Sequence, residues 1–183
     1  MNVQPDLQMD KPAFLAWVQQ RNGRYELAEG RVIMMTGGSR GHGIITRRLA
    51  AALEKRLDAS RWAVLKSDFG VELGPSSIRY PDVIVDVAGG SFSDLTATAP
   101  ILIAEVLSPS SATSDLANKP TEYVGLPSLS AYLVLAQDEA KAWVWKRGTT
   151  GLPAEPDEFE GVNELIQLEP LAIEVPLAEI YQA

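Results

Sequence analysis

Two carboxylates stand alone in apolar stretches whose pattern is typical of buried β-strands. Asp82 lies near the start of the run 81–85, Pro-Asp-Val-Ile-Val, and Glu105 lies within the run 101–107, Ile-Leu-Ile-Ala-Glu-Val-Leu. Both runs are apolar at odd and even positions alike, as in strands that are covered on both faces. Because an unpaired carboxylate is costly to bury, each acid is expected to have a cationic partner. A divalent metal ion that both acids share is the simplest such partner.

Each acid also has a less specific interpretation. Asp82 follows a proline, so it fits an exposed position at the edge of a sheet, and Glu105 fits the last position of a strand before the turn Ser108-Pro109-Ser110. Two such acids in neighbouring strands, followed by Lys119, favour a functional site over coincidence.

Composition restricts the chemistry that this site can perform. With 183 residues, 46% of them hydrophobic, the chain is expected to form one globular domain over residues 1–183. It has no cysteine, which excludes disulfides, thiolate zinc sites and cysteine nucleophiles, and which fits a cytoplasmic protein. His42 is the only histidine, so a metal would be held by oxygen ligands, which suit Mg²⁺ or Mn²⁺. Neither a leader peptide nor an apolar run long enough to cross a membrane is expected.

The charge is unevenly distributed along the chain. The formal net charge is −8, yet residues 1–66 contain eleven Lys and Arg against six Asp and Glu, and residues 67–183 contain five against eighteen. This asymmetry leaves room for a basic surface on an acidic protein. A solvated basic helix is the more common explanation for the basic residues Arg47, Arg48, Lys55 and Arg56.

The elements of the first half follow from apolar spacing and turn residues. A helix is expected over residues 11–20, with Asp10 as its N-cap, followed by a strand, a tight turn at residues 28–30 and a second strand. Residues 37–43 are expected to form a flexible loop. A second helix is predicted from about residue 44 by the four-residue spacing of Ile45, Leu49, Leu53 and Leu57.

The elements of the second half carry the two acids. Strands are expected over residues 62–73, 82–87 and 101–107, and a helix that Ser114 and Asp115 open would carry Lys119 and Tyr123. Residues 131–136 and 141–146 form a predicted hairpin, in which Trp143 and Trp145 share one face and pack on a neighbouring element. The acidic residues 151–161 are expected to be a mobile loop.

Several short strings resemble the Uma-two family of predicted endonucleases. They are Tyr25-Glu26-Leu27 with Glu29-Gly30, His42 before a helix, Pro81-Asp82, Glu105-Val106-Leu107-Ser108-Pro109-Ser110, and Asp115 with Lys119 and Tyr123. The similarity extends from about residue 11 to residue 145. It implies the PD-(D/E)XK restriction-endonuclease-like superfamily, and therefore an α+β fold with a central mixed β-sheet flanked by helices.

The resemblance also implies roles for individual residues. Asp82 and Glu105 would hold one or two Mg²⁺ or Mn²⁺ ions, and Lys119 would replace the usual lysine two positions after the second acid, where Leu107 stands. Pro120 follows Lys119 directly and disfavours helical geometry there.

Three further residues are expected to orient the ligands of the site: Glu26, His42 and Tyr123. For His42, packing or helix capping is an equally good interpretation, and Lys119 also fits a solvated helix position.

The function implied is magnesium-dependent hydrolysis of DNA phosphodiester bonds by a homodimer. Metal-bound carboxylates would polarise the scissile phosphate and activate water, while a lysine ammonium stabilises the charge that develops. Two alternatives stay open: a nuclease-like module that binds nucleic acid or a protein without cutting, and a phosphoesterase acting on small molecules. If the two acids repel each other without metal, neutralising one should leave the metal-free protein equally or more stable.

Overall fold

A computed structural model describes residues 2–108 and 114–182 of the chain. Within this part it contains thirteen strands and four α-helices. The helices are α1 (Lys11–Val18), α2 (Arg40–Glu54), α3 (Lys119–Tyr123) and α4 (Leu177–Tyr181). The strands are β1 (Asn2–Gln8), β2 (Tyr25–Ala28), β3 (Arg31–Met34), β4 (Trp62–Lys66), β5 (Val71–Leu73), β6 (Ser77–Arg79), β7 (Val83–Val87), β8 (Leu102–Val106), β9 (Ala131–Leu135), β10 (Lys141–Lys146), β11 (Asp157–Glu160), β12 (Leu165–Leu168) and β13 (Ile173–Pro176).

The larger sheet has six strands in the order β11-β10-β9-β8-β7-β4. Its neighbours are antiparallel except β8 and β9, which run parallel. The predicted mixed sheet flanked by helices is therefore confirmed. Strands β8 and β9 are buried at every position, as their unbroken apolar runs require, because both faces of the sheet are covered. The stripe Ile45, Leu49 and Leu53 of α2 packs on one face, and Tyr123, Leu129 and Tyr132 lie on the other.

The parallel pair β8 and β9 needs a crossover connection, and this connection positions part of the candidate site. It includes a π-helical turn, Ser114–Asn118, that leads directly into α3. Tyr123 of α3 belongs to the same apolar cluster as Ile84 and Ile103. Helix α3 is thereby held against the face of the sheet that carries every second residue of β7 and β8. Pro109 and Ser110 of the predicted turn lie outside the described residues.

The smaller sheet has the order β1-β3-β2-β6-β5, and α1 packs on it through Phe14, which contacts Leu27, Val32 and Ile78 in a separate apolar cluster. Asp10 caps α1 as predicted, because its carboxylate accepts a hydrogen bond from the backbone N–H of Ala13 at 2.8 Å. The predicted tight turn joins β2 and β3.

Two predicted elements were wrong, the strand over residues 62–73 and the flexible loop over residues 37–43. Residues 62–73 do not form one strand: the chain breaks after β4, where Ser67 has a φ of 26°, so that β4 joins the larger sheet and β5 the smaller. The pattern of polar and apolar residues along this segment does not show that the chain passes from one sheet to the other. The flexible loop predicted over residues 37–43 is shortened because α2 already begins at Arg40, capped by Ser39, whose hydroxyl accepts a hydrogen bond from the His42 N–H at 3.1 Å.

Part of the acidic segment 151–161, predicted to be a mobile loop, instead forms β11 (Asp157–Glu160) at the edge of the larger sheet. It pairs with β10, and its carboxylates face lysines: Lys141 lies 3.1 Å from Glu158, and Lys146 lies 3.5 Å from Asp157. These cross-strand ion pairs reduce the repulsion within a run that is acidic at most positions, while pairing with β10 and the packing of Phe159 on the core hold it as a strand. No helix in the described part of the chain is long and apolar enough to span a membrane.

Candidate active site

Asp82 and Glu105 lie side by side at the edge of the β7 and β8 pairing. Val83 pairs with Ala104, so the same register continued by one residue places Asp82 opposite Glu105. Because side chains alternate along a strand, both acids belong to the face that carries Ile84 and Ile103. Asp82 is 7% exposed and Glu105 is 5% exposed, and Asp82 Oδ2 accepts a hydrogen bond from the backbone N–H of Val106 at 2.8 Å.

Glu105 is paired with two side chains of α3. The Lys119 ammonium donates to Glu105 Oε1 at 2.6 Å, and the Tyr123 hydroxyl donates to the same oxygen at 3.3 Å. Lys119 itself is only 8% exposed, so it points into the protein rather than into solvent. The expectation that Pro120 disfavours helical geometry at Lys119 was wrong. Lys119 is the first residue of α3, and Pro120 lies within its first turn, where helices tolerate proline.

Tyr123 is held in its neutral form. Burial raises the pKa of its phenol well above the usual value of 10.0, and the negative charge of Glu105 acts in the same direction, against the opposing effects of Lys119 and Arg79. A neutral phenol keeps its proton as a hydrogen-bond donor. Tyr123 is therefore suited to orienting Glu105 and not to accepting a proton.

His42 contacts the other acid. Its Nε2 lies 3.0 Å from Asp82 Oδ2, and its backbone N–H is the one that the Ser39 cap binds. Helix α2 thus begins beside the candidate site and aims its only imidazole at Asp82. This contact fixes the orientation of the carboxylate, which already accepts the Val106 N–H.

A buried arginine that was not predicted connects Glu26 to α3. Arg79, the last residue of β6, donates to Glu26 Oε1 at 2.8 Å and to both carboxylate oxygens of Glu122, at 2.9 and 2.7 Å. Burial acts to lower the pKa of Arg79, but the hydrogen bonds with Glu122 and the charge of Glu26 outweigh it and raise that pKa further above its ordinary value. Arg79 and Glu26 also act electrostatically on Tyr123, so they adjoin the candidate site.

The six predicted site residues therefore fall into one neighbourhood. Asp82 and His42 form one contact, Glu105 with Lys119 and Tyr123 a second, and Glu26 reaches them through Arg79 and Glu122.

A family model described as "Putative restriction endonuclease" matches residues 12–178 of the chain. The chain belongs to this family, Uma2 (Uma-two). Two uncharacterised proteins of Synechocystis sp. are similar to it: one is 27% identical over 140 residues, covering 75% of this chain and 74% of its own, and the other is 32% identical over 128 residues, covering 68% and 72%.

The fold of the Uma2 chain is also shared by a solved structure. It resembles the crystal structure of a "putative nuclease belonging to DUF820" from Anabaena variabilis, with a TM-score of 0.72, 14% identity, and coverage of 91% of this chain and 96% of that one. The restriction-endonuclease-like fold predicted from the sequence is thereby confirmed.

Two residues of this neighbourhood were missed, and only one had a usable signal. Lys119, Glu122 and Tyr123 are spaced by three and four residues and so share one face of α3, which could have placed Glu122 beside the candidate site. Arg79 gave no such signal, because β6 has three residues and follows a run, Gly74-Pro75-Ser76, that reads as a turn.

The donor set of the site fits a magnesium or manganese ion. Mg²⁺ is commonly held by one or two carboxylates, with water and substrate phosphates completing its octahedron. Asp82 and Glu105 supply two carboxylates, which neighbouring donors already orient. Among the described residues, no group of three or more His, Asp or Glu side chains is arranged to hold a metal. The protein would therefore contribute only part of the coordination shell, and such a shell leaves room for substrate.

Proposed function

We propose that this Uma2 protein is a magnesium-dependent endonuclease that hydrolyses phosphodiester bonds of DNA. The observation that carries the proposal is the juxtaposition of Asp82 and Glu105 across β7 and β8, with the Lys119 ammonium 2.6 Å from Glu105. This combination of two carboxylates and one ammonium is what metal-assisted attack on a phosphodiester requires. Membership in a family described as "Putative restriction endonuclease" supports the same reaction.

The residues divide the work of that reaction. Asp82 and Glu105 would hold the metal ion, which, when bound, polarises the scissile phosphate and lowers the pKa of an attacking water. Lys119 would stabilise the negative charge that develops on the phosphate oxygens, since an ammonium in a water-poor site acts strongly. His42 and Tyr123 would hold the two carboxylates in place through the contacts at 3.0 and 3.3 Å.

Cleavage of supercoiled plasmid DNA with 5–10 mM Mg²⁺ or Mn²⁺, roughly the concentration that fills weak oxygen sites, tests the proposal. We expect nicked and linear products that disappear with EDTA, and losses on the order of 100-fold or more in Asp82→Asn, Glu105→Gln and Lys119→Ala. Asp86→Asn is the matched control: Asp86 is also buried on β7, but it binds the backbone N–H groups of Thr98 and Ala99.

The outcome of the control decides between catalysis and folding. If Asp86→Asn retains cleavage while Asp82→Asn loses it, loss of a buried charge alone does not explain the effect. Full activity of both Asp82→Asn and Glu105→Gln would overturn the proposal.

A non-cleaving, nuclease-like module is the second candidate. The observation that favours it is that no three His, Asp or Glu side chains in the described part of the chain are arranged so that they could hold one metal ion together. Such a module would bind DNA with equal affinity in EDTA and in Mn²⁺ and leave plasmid uncut.

A panel of chromogenic phosphodiesters tests the remaining alternative, a phosphoesterase that acts on small molecules. The homodimer stays a prediction, which light scattering measures.

A further inference from the structure

A basic pocket of about 290 Å³ lies beside the candidate active site. Its side chains carry three permanent positive charges, from Arg24, Arg47 and Lys66, against one negative charge, from Asp68. Most of the remaining lining is small or polar, including Gly43 and Thr46, so the pocket offers little to an apolar ligand. Its chemistry therefore suits an anion rather than a metabolite with a large apolar surface.

The pocket is continuous with the candidate site through direct contacts. His42 lines the pocket and also contacts Asp82 Oδ2 at 3.0 Å. The backbone N–H of Ser67, another lining residue, donates to the Asp82 carbonyl at 3.3 Å. Lys66 pairs in register with Val83, the residue after Asp82. A ligand in this pocket would consequently lie next to whatever Asp82 holds.

The cations of the pocket are available to an anion. Arg47 and Lys66 are exposed, and neither forms a salt bridge with any residue in the described part of the chain. Arg24 is half-buried and is fixed by a hydrogen bond from its guanidinium to the Ser67 carbonyl at 3.0 Å. On a protein with 24 acidic and 16 basic residues, a concave surface with three cations and one acid departs from the general charge of the molecule.

Thr46 supplies an independent observation. It lines the pocket and is buried, and its hydroxyl oxygen has no hydrogen-bond partner within residues 2–108 and 114–182. A buried hydroxyl without a partner is destabilising, and most such groups in folded proteins are satisfied. Rotation about the Cα–Cβ bond redirects a threonine hydroxyl, so an oxyanion in the pocket would give this group the acceptor that it lacks.

We infer that this pocket binds a backbone phosphate of the nucleic-acid strand, next to the phosphate that Asp82 and Glu105 position for cleavage. Arg24, Arg47 and Lys66 supply the positive charge, and Thr46 supplies a hydroxyl donor. This inference rests on the proposed function, and it assigns substrate binding to a surface outside the predicted set of site residues. It also gives a role to part of the basic excess of residues 1–66. Contacts of this kind set register on the strand without reading its sequence.

The test measures DNA binding in EDTA, so that no strand is cut, by fluorescence anisotropy of a labelled oligonucleotide at several salt concentrations. Each phosphate contact that is removed should lower the slope of log K against log salt by about 1. Arg47→Ala and Lys66→Ala should each show this change, and the double variant should show about twice it. With a slope smaller by 1, raising the salt from 50 to 200 mM weakens binding about fourfold less than in the wild type.

Lys55→Ala is the matched control, because Lys55 caps the other end of α2 and is equally exposed. We expect its salt slope to equal that of the wild type. If Arg47→Ala and Lys66→Ala bind DNA with the wild-type slope while plasmid is still cut, the phosphate pocket is overturned and the proposed function stands. A wild-type protein that neither binds nor cuts DNA overturns both.

Two further measurements test the role of Thr46 and separate a nucleic-acid phosphate from a free one. Thr46→Val removes the unpaired hydroxyl at nearly constant shape, so the melting temperature of the free protein should be equal or higher while DNA affinity falls. Inorganic phosphate at millimolar concentration is the second ligand. If it raises the melting temperature of the wild type but not of the Arg47→Ala and Lys66→Ala double variant, while DNA binding is the same in both proteins, the pocket binds free phosphate and the inference is overturned.

Discussion

At the scale of single residues, the two acids of the candidate site each have their own partners. Asp82 is bound by the Val106 N–H and His42, and Glu105 by Lys119 and Tyr123. Two like charges that repel without metal would leave the protein equally or more stable when one of them is neutralised. The observed pairing reverses this expectation. The carboxylate of Glu105 stabilises a buried ammonium, so its removal has a cost.

Glu105→Gln should therefore lower the free energy of unfolding of the metal-free protein by about 1.5 to 3 kcal/mol, the usual range for a hydrogen bond to a charged group. Urea unfolding measures this change, and Glu155→Gln, an exposed acid, should be within about 0.5 kcal/mol of the wild type. In a double-mutant cycle with Lys119→Met, a coupling of about 1 kcal/mol or more is expected. A Glu105→Gln protein at least as stable as the wild type would restore the repulsion argument.

The buried phenol of Tyr123 should make the stability of the protein depend on pH in the alkaline range. Its pKa in the folded protein is raised above 10.0, chiefly by burial. Above pH 10 the unfolded phenol releases its proton while the folded one retains it, so the unfolded state binds fewer protons and stability falls with rising pH. Between pH 10 and 11, the wild type should lose about 1 kcal/mol relative to Tyr123→Phe, because the unfolded phenol is half ionised at pH 10 and largely ionised at pH 11. Below pH 9 the difference between the two proteins should be constant. Parallel curves across the whole range would contradict the shift.

The two acids were predictable because burial of a charge within an apolar run leaves a clear local signal. Arg79 was not, because an arginine near a turn is normally exposed, and only the pairing of β6 with β2 brings it to Glu26. The placement of Glu26 followed from family resemblance rather than from its own pattern. The local sequence therefore does not identify residues whose partners come from elements distant along the chain.

At the scale of elements, Arg79 joins three of them. It is the last residue of β6, and it binds Glu26 of β2 and Glu122 of α3 through its guanidinium. The arginine therefore fixes α3, and with it Lys119, relative to the smaller sheet. A lysine can replace it only in part, because an ammonium lacks the forked geometry with which the guanidinium binds both carboxylates.

Arg79→Met should destabilise the protein by about 3 to 5 kcal/mol, because it leaves the buried carboxylate of Glu26 and the half-buried carboxylate of Glu122 without their cation. Arg79→Lys should recover only part of the loss. Arg31→Met, at an exposed position of β3, is the control and should be near the wild type. Urea denaturation with a single probe for each sheet measures all three. A loss below about 1 kcal/mol for Arg79→Met would show that the contacts of Arg79 with Glu26 and Glu122 contribute little to stability.

Elements were predicted well where one face or both faces gave a simple pattern, as in α2, β7, β8 and the β9 and β10 hairpin. Elements were missed where their structure depends on contacts with another strand. Strand β11 is acidic and resembles a loop in isolation, but its three acids lie near Lys141 and Lys146, which partly offset its charge. The switch of the chain from one sheet to the other after Lys66 likewise depends on tertiary pairing.

At the scale of the whole molecule, charge is sorted between surfaces. The chain has a net charge of −8, yet cations gather in the pocket beside the candidate site, and much of the acidic charge of β11 is paired with lysines. A metal ion added to this protein could therefore bind at either of two acidic regions. One is the pair Asp82 and Glu105, and the other is the edge strand β11.

Metal binding to the first region should stabilise the fold by mass action, because the unfolded chain does not hold the two carboxylates together. For an assumed dissociation constant of ~1 mM and ~10 mM Mg²⁺ or Mn²⁺, the gain is about 1.4 kcal/mol. In a domain of this size that raises the melting temperature by roughly 3 to 5 °C. Sodium at matched ionic strength should not reproduce the rise.

Variants assign this shift to one of the two regions. Asp82→Asn should abolish it, since one remaining carboxylate binds too weakly at that concentration. The double variant Glu158→Gln and Glu160→Gln should retain it, because both acids lie near Lys141, at 3.1 and 3.7 Å, and that ammonium opposes a second cation. Thermal unfolding of the three proteins with and without metal provides the measurement. A shift that survives in Asp82→Asn and disappears in the β11 variant would place the metal on the edge strand and favour the non-cleaving module over the endonuclease.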